Sequence, residues 1–135
     1  MTHKALRILI ADPQHFQRMK IERIFNRLDC YRIAPVQNLA ELLTLVDYGC
    51  EPFDVLVINA QLAGGRLDLH GFLLDQPHVR RALVYNAPDS GVFHDRLTIS
   101  QAPLPAAAAI EHLLASAIAS RGRPAEARSR LGLRA

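Results

Sequence analysis

The chain is predicted to fold as an open α/β sheet, on three observations. Leu6-Arg7-Ile8-Leu9-Ile10-Ala11 and Phe53-Asp54-Val55-Leu56-Val57-Ile58 are near-continuous apolar runs of the kind buried on both faces of a parallel sheet. Each run stops at a polar residue, Asp12 in the first case and Asn59 in the second. Between and after them lie amphipathic segments long enough to be crossover helices. In such a sheet ligands and chemistry gather at the carboxyl ends of the strands, so Asp12 and Asn59 stand where function is expected.

The elements follow in order. Strand one is expected over Ala5–Ala11. Asp12 is a good N-cap for a helix with Pro13 at its first position, and Phe16, Met19, Ile21, Ile24, Phe25 and Leu28 supply its apolar residues. Tyr31–Pro35 reads as a short second strand. Asn38 caps a second helix, with Glu41 three residues on as in a capping box, and Leu39, Leu42, Leu43 and Val46 as its stripe. Gly49 ends that helix and Pro52 forbids its continuation. After the central strand, Gly64-Gly65 open a loose loop before a short helix around Leu69–Leu74. Pro77 helps to end it, and Arg81–Asn86 is the fourth strand. Pro88, Asp89, Ser90 and Gly91 make Ala87–His94 a turn or loop. Leu97–Ser100 is a weak fifth strand, and Pro103-Leu104-Pro105 leads into the most helix-prone stretch, Ala106–Ala119. No internal repeat is present.

Composition bounds the rest. At 135 residues and 50% hydrophobic, the chain is expected to form one domain with a sizeable core over residues 1–120. No stretch is apolar for long enough to span a bilayer, and Met1-Thr2-His3-Lys4 lacks the features of a secretory signal. Cys30 and Cys50 are too few for a disulfide framework or a paired-cysteine metal site, so a cytoplasmic setting with ordinary thiols is expected. Residues 121–135 hold five arginines against Glu126 alone, so with +3 over the whole chain the body carries a net single negative charge. The basic character belongs to that tail, expected to be a flexible extension. Arg18, Lys20, Arg23 and Arg27 make one basic helix face, read as solvated.

The runs Arg7-Ile8-Leu9-Ile10-Ala11-Asp12, Phe53–Asn59 and Ala82-Leu83-Val84-Tyr85-Asn86-Ala87, in this order and spacing, resemble the first, third and fourth strands of two-component response-regulator receiver domains over residues 5–119. The resemblance implies a five-stranded flavodoxin-like parallel sheet of order 2-1-3-4-5 with helices on both faces. Family members pass a phosphoryl group from a histidine kinase to an aspartate ending strand three. An acidic pair after strand one holds magnesium, a Ser or Thr follows strand four, and a Lys follows strand five. A carboxylate nucleophile and a hard cation are what that transfer requires.

This chain departs from the pattern at each of those points. Asn59 stands in place of the acceptor, and an amide forms no acyl phosphate. Ala11 replaces the first acid of the pair, leaving Asp12 as at most a weak magnesium ligand. Asn86 replaces the Ser or Thr, Ala102 the Lys, and Ile99 a common aromatic. The expectation is a degenerate phosphoacceptor pocket of Asp12, Asn59, Asn86 and Ala102, with no metal or cofactor, and His15 as a pocket wall. Asp12 as a mere cap, and the two asparagines as binders of loop backbone, are the structural alternatives. No nucleophile elbow or phosphate-binding loop is present, so no enzymatic activity is expected. The function implied is a signalling module working through protein contacts. Its partner would be a histidine kinase, a phosphotransfer protein, an output protein or a second copy. The surface implied is Pro88–His94 with the exposed side of Ala106–Ser120. Alternatives are a working receiver using a displaced acid, Asp54 or Asp68, and an arginine-rich tail that binds nucleic acid or an acidic membrane surface.

Overall fold

The computed structural model describes residues 3–49, 51–64, 68–88, 91–94 and 96–121. Six strands form one sheet: β1 (Arg7–Ala11), β2 (Arg32–Val36), β3 (Phe53–Asn59), β4 (Val79–Tyr85), β5 (Gly91–His94) and β6 (Leu97–Ile99). Five of them are mutually parallel in the order β2-β1-β3-β4-β6, which is 2-1-3-4-5 when the parallel strands are counted alone. The helices are α1 (His15–Arg27), α2 (Leu39–Tyr48), α3 (Leu69–Asp75) and α4 (Ala107–Arg121). This is the flavodoxin-like α/β arrangement.

Alternation along the central strands sorts their side chains between two cores. Ile8, Ile10, Val55, Val57, Leu83 and Tyr85 meet Ile21 and Phe25 of α1 and Ile110, Leu113, Leu114 and Ala117 of α4. Leu9, Ala11, Leu56, Ile58, Ala82 and Val84 meet Leu42 and Val46 of α2 and Leu69 and Leu73 of α3. All seven residues of β3 are buried, as a central strand covered on both faces requires.

Local chemistry places the helix ends. Asn38 accepts from the Glu41 N–H at 2.8 Å, and the Glu41 carboxylate takes the Gln37 N–H at 3.0 Å, closing the first turn of α2. Gly49 ends α2 with φ −70°. Its lack of a Cβ is needed for space, since one would sit 2.5 Å from the Leu45 carbonyl oxygen. The Arg96 guanidinium donates to the carbonyls of Leu73, Leu74, Gln76, Val79 and Arg80, tying the end of α3 to the start of β4.

Three expectations need correction. Helix α1 does not start at Asp12-Pro13. Its N-cap is Gln14, because the Asp12 N–H continues the β1–β2 ladder to the Val36 carbonyl and the Asp12 side chain turns back onto the Gln14 N–H. Phe16 and Met19 are not core residues. At 100° per residue they fall opposite the Ile21–Phe25 face, and they are 65% and 37% exposed. The segment expected as a turn or loop contains β5, which runs antiparallel beside β6 and occupies the edge hydrogen bonds of that strand.

Of the expected tail, only Arg121 is among the described residues, as the last residue of α4; Cys50 also falls outside them. No helix among the described residues is long and apolar enough to cross a membrane.

Candidate functional site

At the carboxyl ends of β1, β3 and β4, three side chains from distant parts of the chain close into one hydrogen-bonded group. Asp12, the residue after β1, is fully buried; Asn59, the last residue of β3, is 4% exposed; Tyr85, the last of β4, is fully buried. Asn59 and Tyr85 are register partners in the β3–β4 ladder. The alternation that puts Ile8, Ile10, Val57 and Leu83 on the α1 side carries Asp12, Asn59 and Tyr85 to that side as well.

The Asp12 carboxylate accepts three hydrogen bonds. One oxygen accepts the Tyr85 hydroxyl and the Asn59 side-chain amide, the latter at 3.1 Å. The other oxygen accepts the Gln14 N–H at 2.8 Å. Asn59 in turn accepts the Gln61 N–H at 2.9 Å and the Asn86 amide at 3.2 Å. The first of these bonds caps the single 3-10 turn Ala60–Leu62 that follows β3. Asn86 takes a left-handed backbone, φ +57°, which asparagine tolerates better than most residues, and its N–H donates to the Ala102 carbonyl at 2.8 Å. Ala102 thus enters the site through its backbone alone.

The charge in this group is borne by Asp12 and offset by neutral dipoles. The Arg18 guanidinium lies close by, but it donates to the Asp12 main-chain carbonyl at 2.6 Å. Burial first, then the bond to Asp12 and its negative charge, push the Tyr85 phenol far above its ordinary range, with Arg18 opposing weakly. Tyr85 is therefore a fixed donor throughout the physiological range. A buried carboxylate with three donors is compensated without a cation because most of its roughly four lone-pair sites hold a donor.

The receiver-type magnesium site does not fit this arrangement. Magnesium takes six oxygen ligands in near-octahedral geometry, usually one or two carboxylates with waters, and here the single acid, Asp12, already accepts from Tyr85 and Asn59 on one oxygen and from the Gln14 N–H on the other. Among the described residues no group of three or more His, Cys, Asp or Glu side chains converges.

No family model matches the chain, and no curated protein and no solved structure is significantly similar to it. The site must therefore be read from its own geometry.

Asp12, Asn59 and Asn86 are brought together in one connected chain. His15 is exposed as the first residue of α1, outside the hydrogen-bonded group around Asp12. Sequence reasoning passed over Tyr85, which it treated only as strand. The missing signal was register: the residue opposite Asn59 across the β3–β4 ladder, one before Asn86, must also end at the crevice. The two acids considered as displaced acceptors lie elsewhere. Asp54 is at the start of β3, accepting the Arg7 N–H at 2.9 Å with Arg80 at 3.7 Å, while Asp68 caps α3 by accepting from Gly71. Beside the Asp12 group, an uncharged cleft of about 510 Å³ opens between Pro13, Gln37, Asn38, Gln61, Leu62 and Gly64.

Proposed function

We propose that the chain is a receiver-like signalling module that acts in the cytoplasm through protein contacts, without aspartyl phosphorylation. The observation that carries this reading is the closed state of the crevice: an amide ends β3, and the remaining acid, Asp12, is consumed by Tyr85, Asn59 and the Gln14 N–H. A phosphoryl group finds no carboxylate nucleophile there and no open ligand for the cation its transfer needs. The order of the sheet and the placement of the strand ends agree with the receiver resemblance of the sequence. What the module offers a kinase, phosphotransfer or output protein is then a constant shape. The surface of β5, β6 and the exposed side of α4, with Glu111, His112 and Ala115 outward, is where such a partner docks.

The test treats the full chain with acetyl phosphate and magnesium, followed by intact mass. The expected result is an unchanged mass; a stable phosphoryl adduct overturns the reading. Capture of a signalling partner should be unaffected by acetyl phosphate and weakened by Ala115→Arg or Glu111→Lys. Capture that requires Asn59→Asp, or that appears only with phosphoryl donor present, also overturns it.

A further inference from the structure

At the amino end of the sheet, strand register sets four charged side chains in one row. Arg7 and Arg32 are partners in the β1–β2 ladder. Asp54 stands one residue before Val55, the partner of Ile8, and so lies opposite Arg7. On its other side Phe53 pairs with Val79 and Val55 with Arg81, which puts Asp54 opposite Arg80. Across β2, β1, β3 and β4 the row therefore reads Arg32, Arg7, Asp54, Arg80. Each is two positions before a residue of the core on the α2 side, Ala34, Leu9, Leu56 and Ala82 respectively, so all four share that face. With Glu51 they line one polar cavity of about 160 Å³, which admits a tetrahedral oxyanion.

The charges around this cavity do not balance. Three guanidiniums meet two acids, and the exposed Glu51 forms no ion pair among the described residues. Arg7 donates through Nη1 to the Glu51 and Pro52 carbonyls and lies over the Phe53 ring, which fixes its position. Arg32 donates through Nη1 to the Ala5 carbonyl at 3.3 Å, and Arg80 approaches Asp54 through Nε at 3.7 Å. Each guanidinium carries five N–H donors, so most of those in the row are left over from these contacts.

We propose that this cavity is a binding site for inorganic phosphate. Hydrogen phosphate presents ionised oxygens, which guanidinium forks take in pairs, and a hydroxyl, which needs an acceptor. The row supplies both kinds of partner: three cations that only donate, and one carboxylate that only accepts. Asp54 thus selects as well as binds. Sulfate has the same shape and charge but no proton to offer the carboxylate, and a phosphate monoester has lost most of its proton above pH 7. Both are repelled where hydrogen phosphate is held. The site lies at the opposite end of the sheet from Asp12 and does not depend on the receiver reading.

The test titrates the full chain with inorganic phosphate by calorimetry at constant ionic strength, in parallel with sulfate and with glycerol phosphate, and follows thermal unfolding by circular dichroism. One phosphate should bind per chain and raise the melting temperature, with sulfate and the ester each weaker by about tenfold or more. Arg32→Gln removes an exposed side chain and should keep the fold while weakening phosphate about tenfold. Arg80→Gln should act alike, and Arg23→Gln, on the outer face of α1, should change nothing. Asp54→Asn should bring phosphate and sulfate closer in affinity. Absence of phosphate binding, sulfate or ester bound as tightly as phosphate, or an Arg23→Gln loss equal to that of Arg32→Gln overturns the proposal.

Discussion

Among the described residues, the two buried acids of the sheet stand at its opposite ends and are satisfied by different means. Asp12, at the carboxyl end, is held by a phenol, an amide and a backbone N–H. Asp54, at the amino end, faces a guanidinium: Arg80 approaches at 3.7 Å and the Arg7 N–H donates at 2.9 Å. Around it Arg7 packs over the Phe53 ring at 4.4 Å and donates to the Glu51 and Pro52 carbonyls. Charge is compensated by charge at one end and by preorganised neutral dipoles at the other. The arginine-lined end can relax toward water because Arg80 is a third exposed, whereas the Asp12 end is sealed and its partners have nowhere else to turn.

The difference is sharpest on removal of the acids. Asp12→Ala should cost about 3–5 kcal/mol in chemical unfolding, since it leaves a buried phenol and a buried amide without an acceptor. Asp54→Ala should cost about 1–2 kcal/mol, because the freed Arg80 reaches solvent. Equal costs would break the contrast. Second only to Asp12→Ala is Arg96→Ala, expected to lose about 3 kcal/mol by removing the guanidinium that five carbonyls at the α3–β4 junction share. Arg96→Lys should recover only part of this, as an ammonium cannot span the same set.

Tyr85→Phe probes the sealed end more gently. It should destabilise by about 1–2 kcal/mol, since Asp12 keeps Asn59 and Gln14. It should leave acetyl phosphate without effect on mass, because Asn59 still ends β3. A Tyr85→Phe chain that binds magnesium tightly would show that the hydroxyl alone closes the site.

The smallest effect is alkaline. Burial, with Asp29 adding to it, pushes the Cys30 thiol from 9.0 up to about 11, and Tyr85 is raised above its ordinary 10.0. In both cases the folded state keeps a proton that the unfolded chain releases, so stability is whole below pH 9 and falls as pH rises beyond it. Urea titrations across that range should show the loss beginning with Cys30, and Cys30→Ala should flatten its first part. Stability that rose with pH there would contradict both assignments.

The sequence foresaw the strands well where burial is two-sided, as in β1 and β3, because a continuous apolar run has few other uses in a chain of this size. It foresaw the cap of α2, where Asn38 and Glu41 act within four residues. It misplaced the start of α1, since the same Asp-Pro pair serves a cap or a strand-end turn, and the Val36 carbonyl that decides between them is remote. It counted Phe16 and Met19 with the apolar residues of α1, although their angle on the helix sets them outward, apart from Ile21 and Phe25. β5 was hidden because its hydrogen bonds come from β6, and composition there says only that the chain turns.

By itself, then, the sequence determined that this is a parallel α/β sheet, and that its crevice carries one acid and two amides where phosphoryl transfer would need more. Apolar periodicity and residue identity suffice for that, and both are local. Only the tertiary structure decided that the acid is spoken for. The bond from Tyr85 to Asp12 spans 73 positions and that from Asn59 spans 47, and neither exists until three strands are brought into register. Long-range pairing fixes which polar groups meet, and that meeting sets whether a buried carboxylate is a ligand waiting for a cation or an acceptor already filled.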